Sequence, residues 1–214
     1  MEKMTKIYHD LTLELSPDSI VYPADLSPKF QELKRISKGD PFNLTSLTFT
    51  THTGTHIDVP KHFNDDGLTI DKLSFDYLIG PARVIELKGR NSITEIDLQK
   101  ETIEPNEIIL LKTDNSELLK KKNFDTNFTH ITPEAARYLV RCDIKTIGID
   151  YFSVEKIESP EPEVHKLFLD NSIPIIEGID LINIAPGTYH LIALPLKIKD
   201  GNGCPSRVVL VEET

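Results

Sequence analysis

The chain has 214 residues, 39% hydrophobic and 27% charged, a balance that predicts one folded domain spanning residues 1–214. Its 24 Lys and Arg residues face 34 Asp and Glu residues, for a formal net charge of -10. Phosphate backbones are repelled on average by such a chain, which disfavours nucleic acid as a partner. The segment up to Leu11 has neither the apolar core of a signal peptide nor a membrane span, which predicts no membrane partner and a cytoplasmic location.

Strands and turns are predicted for the N-terminal third, which is rich in Thr, Ile, Leu and Val with Pro and Asp interruptions. The strand-like segments there are 11–15, 20–22 and 44–51. Short apolar runs bounded by polar or turn residues then predict buried strands at 82–87, 108–112 and 144–149. Further strands are predicted at 173–177, 191–198 and 208–211.

Two helices are predicted in the second half of the chain. Thr132-Pro133 combines an N-cap residue with proline at the first helical position, and the helix is expected to run to Arg141. A second helix is expected near 162–171, where apolar residues recur at helical spacing and His165 lies beside the apolar face. Because strands outnumber helices, the sequence predicts an α/β fold in which helices cover a mainly β core.

Cysteine chemistry contributes little to the expected function. Cys142 and Cys204 are the two cysteines of the chain, and they stand far apart without CxxC spacing. This pattern indicates neither a disulfide framework nor a zinc–thiolate site. Both residues are expected to be structural thiols.

Histidines are crowded within residues 51–63, with the sequence THTGTHIDVPKHF. A helix would bring His52 and His56 together, but the glycine, proline and threonines of this stretch argue against one, so a bent extended segment is predicted. In an extended chain, His56 and Asp58 point to one face about 6.5 to 7 Å apart. His52 lies roughly 13 Å further back in a straight strand, so it converges on them only if the chain bends near Gly54.

Two imidazoles and one carboxylate would leave a cation with an open coordination position, which is typical of a catalytic metal. Such an ion lowers the pKa of bound water and polarises a carbonyl group, so the pattern favours hydrolysis. His62 would then be free to transfer protons. The alternative, that these are surface or core histidines, explains the crowding less well, whereas the isolated His9, His130 and His190 are expected to be structural.

Residues 52–63 resemble the HxGTHxDxPxHF signature of the cyclase-like metal-dependent hydrolases, a family that includes the bacterial kynurenine formamidases. Five more segments agree with the family: 10–12, 22–25, 80–84, 148–150 and 194–197. The resemblance implies a three-layer swivelling β/β/α domain with a barrel-like mixed sheet and few helices. It also implies assembly as a homodimer or homotetramer.

The resemblance extends to individual site residues. The metal ligands of the family's formamidases match His52, His56, Asp58, His165 and Glu177. Asp58 matches the carboxylate that bridges two cations, and His62 matches the proton-transferring histidine. The chain has no Trp, and Tyr22 stands where formamidases often have one, with Ala24 in place of a glycine. Tyr22 still offers an aromatic face to a planar substrate, although a residue before proline equally often packs in a turn.

The function implied by the resemblance is arylformamidase activity, the hydrolysis of an N-formyl aryl amine to amine and formate, as in the kynurenine branch of tryptophan breakdown. The expected cofactor is one or two Zn²⁺ per chain, with Mn²⁺ as the alternative, because imidazole and carboxylate ligands accept either ion. The rival reaction is the ring-opening of a cyclic amide such as isatin with a single manganese ion. A non-catalytic metal-binding protein is the rival from another class, since fold alone does not establish activity.

Overall fold

The computed structural model describes residues 5–23, 25–157 and 159–213, so Ala24 lies outside the described residues. In these ranges there are twelve strands: β1 Lys6–Asp10, β2 Lys29–Lys34, β3 Leu44–Thr48, β4 His56–Asp58, β5 Ile79–Glu86, β6 Ser92–Ile93, β7 Ile108–Lys112, β8 His130–Ile131, β9 Thr146–Ile149, β10 Ile175–Glu177, β11 Gly187–Pro195 and β12 Gly203–Glu213. The four helices are α1 Glu95–Leu98, α2 Asn115–Leu118, α3 Pro133–Arg141 and α4 Glu163–Asp170.

Seven strands close into a ring. Their order is β12-β11-β5-β7-β9-β10-β4, and β4 pairs again with β12. The four neighbours β5, β7, β9 and β10 run parallel to one another, whereas the remaining pairs of the ring are antiparallel. Strand β1 extends the sheet along the far end of β12. This is the barrel-like mixed sheet with few helices that the resemblance implied.

Alternation along the central strands separates two hydrophobic cores. On β7, Ile108 and Leu110 belong to the core inside the ring, whereas Ile109 and Leu111 belong to the core shared with α3 and α4. This follows from the period of two along a strand, which sends successive side chains to opposite faces. All four residues are buried, which explains why the segment reads as a continuous apolar run.

Both predicted helices are confirmed. Helix α3 begins at Pro133, and the backbone N–H of Ala135 donates to the Thr132 hydroxyl at 3.2 Å, as expected of an N-cap. Helix α4 lies within the predicted range 162–171. None of the helices in the described ranges is long and apolar enough to cross a membrane, and the cytoplasmic location stays a prediction.

The strand predictions are confirmed from residue 44 onward and are wrong at two earlier segments. Residues 11–15 form a single bridge, between Thr12 and Ile179, and residues 20–22 have no strand structure. The first strand is instead β1, whose side chains are largely exposed. Its polar sequence KIYHD lacks the apolar alternation by which strands are recognised. The strand forms because its backbone pairs with β12.

The short strand β4 closes the ring between β10 and β12, and its three residues are all buried. Beside it, the chain leaves β10 through Gly178, whose φ of +68° lies in the left-handed region. A Cβ at Gly178 would lie 2.6 Å from the carbonyl oxygen of Gly54. Two segments of backbone therefore meet here without room for a side chain.

We expect Gly178→Ala to destabilise the protein more than the same change at Gly89. Gly89 also has a positive φ, of +73°, but a Cβ there would meet nothing within 4 Å. The left-handed conformation alone should cost about 1–2 kcal/mol in both variants, and the clash at Gly178 should add about 1–3 kcal/mol. Urea unfolding of the metal-free variants measures the difference, and equal losses would contradict the close approach at Gly178.

Candidate metal centre

Strand β4 and its neighbour β10 place three predicted ligands side by side. His56 and Asp58 are alternate residues of β4, so both side chains leave the same face. Glu177 lies opposite His56 in the antiparallel register, and its Oε2 is 3.4 Å from His56 Nε2. His56 Nε2 is also 3.4 Å from Asp58 Oδ1. All three side chains are buried, so the sheet alone brings one imidazole and two carboxylates together.

His52 reaches the same point through a turn. Gly54, with a φ of +67°, bends the chain between His52 and β4, as the sequence predicted. His52 Nδ1 donates to Asp58 Oδ1 at 2.7 Å. Across the sheet, Gly203 pairs with Asp58, and a Cβ at Gly203 would lie 2.6 Å from His52 Cε1. The missing side chain at Gly203 therefore leaves space for the His52 ring.

Helix α4 contributes the third imidazole, His165, which is buried. Its Nε2 is 3.3 Å from Glu177 Oε1 and 3.9 Å from Asp58 Oδ2. Two overlapping sets result, His52 with His56 and Asp58, and Asp58 with His165 and Glu177, and within each set the donor atoms lie within 4.8 Å of one another. Asp58 belongs to both sets, which is the position expected of a bridging carboxylate.

The second nitrogen of each buried ring is held by an acceptor. His56 Nδ1 donates to the carbonyl oxygen of Gly54 at 2.9 Å, and His165 Nδ1 donates to Glu155 Oε2 at 3.0 Å. Both hydrogen bonds leave Nε2 as the nitrogen that faces the cluster, an arrangement common around metal-bound histidines. Sequence reasoning missed Glu155, because no local spacing relates it to a histidine ten residues away.

The buried charges balance one another. Burial by itself would lower the pKa of His56, but hydrogen bonds to Asp58 and Glu177 outweigh it and raise that pKa to about 10. The pKa of His165 is likewise raised to about 10, against the effect of burial, by its hydrogen bonds to neighbouring carboxylates. Burial would raise the pKa of Glu177, but these two histidines lower it to about 2. Without a cation, the two histidines and the carboxylates beside them therefore favour one another's charged forms.

The residues present fit one or two divalent cations. His52 Nε2 is buried and has no hydrogen-bond partner among the described residues, and an unpaired polar atom in that position is destabilising. Imidazoles and carboxylates together are a donor set that zinc and manganese accept. A cation would also replace the protons that His56 and His165 hold, because metal ligands bind in their deprotonated form.

His62 lies at the edge of the cluster rather than inside it. Its Nε2 is 4.0 Å from Asp58 Oδ2, and its ring stacks on His52 at 3.9 Å between centroids. Burial lowers the pKa of His62 to about 4, so the ring is neutral at neutral pH. This placement suits a proton-transferring group, and the role stays a prediction.

A pocket of about 330 Å³ opens above the cluster. Tyr22 lies on its wall as predicted, and its ring also packs edge-to-face on Phe124 at 5.3 Å between centroids. Phe63 and Phe152 complete the aromatic part of the wall. The sequence did not assign either ring to the pocket. Phe63 belongs to the signature of residues 52–63 but had no assigned role, and Phe152 is brought to the pocket only by the fold. The histidines expected to be structural do not line this pocket: His9, His130 and His190.

Comparison with known proteins agrees with this geometry. The profile of a family described as putative cyclase matches residues 9–156. Kynurenine formamidase of Bacillus anthracis is 33% identical over 206 residues, which cover 96% of this chain and 98% of that protein. The chain belongs to the putative cyclase family. The family assignment made from residues 52–63 is therefore confirmed.

Solved structures also share this fold. One described as a potential metal-dependent hydrolase with cyclase activity is 29% identical, with a TM-score of 0.85 over 97% of this chain and 98% of that one. An isatin hydrolase bound to the product analogue thioisatinate has a TM-score of 0.85 at 21% identity, over 98% of this chain and 93% of that one. This second likeness concerns the fold alone.

We expect His56→Ala to lose bound metal, because His56 belongs to the kernel of the site. His165→Ala should lose at most one ion per chain without emptying the first position, because His165 belongs mainly to the second set of ligands. Elemental analysis after gel filtration gives the stoichiometry, and circular dichroism checks that each variant is folded. His130→Ala, outside the cluster, is the matched control and should keep the wild-type content. Full metal occupancy in the His56 variant would refute the site, whereas unchanged stoichiometry in the His165 variant would reduce it to one ion.

Proposed function

We propose that the chain is a metal-dependent amide hydrolase with arylformamidase activity, which converts N-formylkynurenine to kynurenine and formate. The observation that carries the proposal is the shared carboxylate of Asp58 between two donor sets, with the neutral His62 beside them at the floor of an aromatic pocket. The kynurenine formamidase of Bacillus anthracis, similar along nearly its whole length, supports the choice of substrate. We also propose that the 214 residues form one catalytic domain and that the protein is cytoplasmic, as expected from the sequence.

The ligands proposed for the cofactor are the two sets that share Asp58. His52, His56 and Asp58 would hold one cation, and Asp58 with His165 and Glu177 would hold the other. A divalent cation bound there supplies Lewis acidity, lowering the pKa of a water and polarising the formyl carbonyl group. We propose zinc, with manganese as the alternative, because these ligand types accept both.

His62 is the proposed proton-transferring residue. Its low pKa keeps the ring neutral at neutral pH, and in the tautomer with the proton on Nδ1, Nε2 can accept a proton from the attacking water as the new carbon–oxygen bond forms. The same Nε2 then donates that proton to the amide nitrogen as the carbon–nitrogen bond breaks, which releases a neutral amine and formic acid, and the acid loses its proton to solvent to give formate. The ring of His62 stacks on that of His52, and this contact holds His62 in the lining of the pocket.

The walls of the pocket suit a planar aromatic substrate. Tyr22, Phe63 and Phe152 supply ring surfaces, and the volume of about 330 Å³ matches a small-molecule site. With the ring between these side chains, an amide attached to it can reach the cluster below. Cyclic amides such as isatin are the rival substrates, and they belong in the same assay.

We expect His62→Ala to lower kcat for N-formylkynurenine by about 10²- to 10⁴-fold while metal content stays at the wild-type value, because general acid–base catalysis contributes on that order. Product absorbance measures the rate in zinc- and manganese-loaded protein, and elemental analysis measures the metal. His190→Ala, on β11 and outside the pocket, is the matched control.

Four outcomes would contradict the role of His62 or the proposed reaction. Metal loss in the His62 variant as large as in the His56 variant would make His62 a ligand. An unchanged rate at unchanged metal content would leave His62 without a catalytic role. Turnover of isatin without turnover of any aryl formamide would replace the proposed reaction with cyclic-amide hydrolysis, and turnover of neither would favour a non-catalytic metal-binding protein.

We also propose that the chain assembles as a homodimer or homotetramer through the hairpin of β2 and β3. The two strands pair with one another in a sheet of their own, and Phe30 lies directly opposite Leu47 in their register. The hairpin and its turn expose a series of large apolar side chains: Phe30, Leu33, Ile36, Phe42, Leu44 and Leu47. An apolar surface of this kind typically marks a protein–protein contact.

We expect Leu47→Glu to shift the protein toward the monomer, because a charge placed beside Phe30 on this face of the hairpin would be desolvated on association. The neighbouring Thr48 is also exposed, but its side chain leaves the opposite face of β3, so Thr48→Glu is the matched control. Sedimentation velocity at equal concentration measures the distribution. A Leu47 variant that sediments like the wild type would exclude this surface as the contact.

A further inference from the structure

The charged side chains around the pocket are nearly all acidic. Its lining contains the carboxylates of Asp25, Asp58, Glu155 and Glu177. Asp58 and Glu177 belong to the metal ligands, and Glu155 is engaged by His165. Lys156 is the single Lys or Arg that lines the pocket among the described residues.

The backbone fixes the position of Lys156 relative to the metal ligands. Glu155, the preceding residue, is buried and accepts hydrogen bonds from the backbone N–H groups of Val164 at 3.3 Å and His165 at 3.4 Å, at the start of α4. On the other side, the N–H of Ser159 donates to the Lys156 carbonyl oxygen at 3.3 Å. Lys156 is therefore one peptide away from a side chain that orients a ligand.

The ammonium group of Lys156 is available for a ligand. It is exposed and forms no ion pair with any other residue of the ranges 5–23, 25–157 and 159–213. The nearby surface lysine of α4 differs, because Lys166 Nζ pairs with Glu161 at 3.0 Å. Lys156 can therefore pair with an anionic group of a ligand that enters the pocket.

An anionic ligand would need this charge. The chain carries a net charge of -10, so its surface repels anions on average. Asp25, which lines the pocket from the segment that follows Tyr22, adds local repulsion. Lys156 is placed to offset both, since a charge-assisted hydrogen bond to a carboxylate is stronger than a neutral one.

We propose that Lys156 is a specificity-determining residue that binds a carboxylate carried by the aryl amide substrate. The proposal rests on the proposed function: the aromatic side chains hold the substrate ring, its amide faces the metal ligands, and its carboxylate lies against the Lys156 ammonium group at the mouth of the pocket. Among aryl formamides, those that carry a carboxylate are thereby favoured over those that lack one.

The kinetic test compares N-formylkynurenine with N-formylkynuramine, which keeps the aryl formamide and the amine and lacks only the carboxylate. We expect Lys156→Met to lower the ratio of their kcat/KM values about tenfold, mainly through KM for N-formylkynurenine, because one charge-assisted contact is lost. Lys156→Arg should restore most of the ratio. Lys166→Met is the matched control and should leave the ratio unchanged.

A binding test separates this proposal from the proposed function. Calorimetry measures the affinity of kynurenine and of 2-aminoacetophenone for the metal-loaded protein, independently of turnover. We expect Lys156→Met to weaken kynurenine about tenfold and to leave the weaker binding of 2-aminoacetophenone within about twofold. If the wild type hydrolyses neither formamide, the proposed function fails while this measurement still decides the role of Lys156.

Two kinetic results and two binding results would overturn the role proposed for Lys156. A ratio of kcat/KM values that does not change in Lys156→Met, or a loss of equal size for both substrates, would leave Lys156 without a part in specificity. Equal affinity of wild type and Lys156→Met for kynurenine, or no binding of kynurenine to the wild type, would do the same.

Discussion

The buried carboxylate of Asp58 is the constraint on which the site depends. A buried charge without partners is strongly destabilising, and β4 holds this one between two neighbouring strands. Imidazoles from three parts of the fold surround it, His52 from a turn, His56 from the same strand and His165 from a helix, and the raised pKa values of His56 and His165 favour their charged forms. Because the groups that surround the carboxylate are also metal donors, the stability of the fold and the affinity for a cation are linked.

The segment before α4 joins this cluster to the rest of the pocket. Glu155 accepts a hydrogen bond from the His165 ring and two more from the backbone at the start of α4. Glu177 accepts the N–H of Val154 at 2.7 Å, so the same segment is attached to β10. A ligand ring, the helix that carries it and the loop leading to Lys156 are thus held by a few charge-assisted hydrogen bonds, which are stronger than neutral ones.

The floor of the pocket carries the reacting groups, whereas its walls determine which substrate fits. The floor presents the donor groups and His62 to an amide carbonyl group, and both formamides and cyclic amides offer one. Which amide is accepted depends on the walls, where Tyr22, Phe63 and Phe152 lie with Lys156. A common fold with different site walls is the usual way in which related hydrolases differ in substrate. The shape of the ring and the charge of its substituents are therefore the properties that this pocket selects.

Local patterns in the sequence determined the central features. His52, His56 and Asp58 stand within seven residues, so their spacing alone predicted a metal-binding kernel with a bend at Gly54. Strand β7 and helix α3 were equally predictable, because a strand buried on both faces and a capped helix start have local signatures. The second set of ligands was reached through resemblance to a family, since nothing in the local sequence relates β10 or α4 to the histidine cluster.

Only the tertiary structure decided what the rest of the chain contributes. Closure of the ring pairs β4 with both β10 and β12, which places Glu177 beside His56 and leaves space at Gly203 for His52. Strand β1 forms despite its polar sequence because β12 supplies its hydrogen bonds. Glu155 and Lys156 acquire their positions from the packing of α4 against the sheet. These are contacts between distant segments, and the local periodicities from which elements are predicted do not contain them.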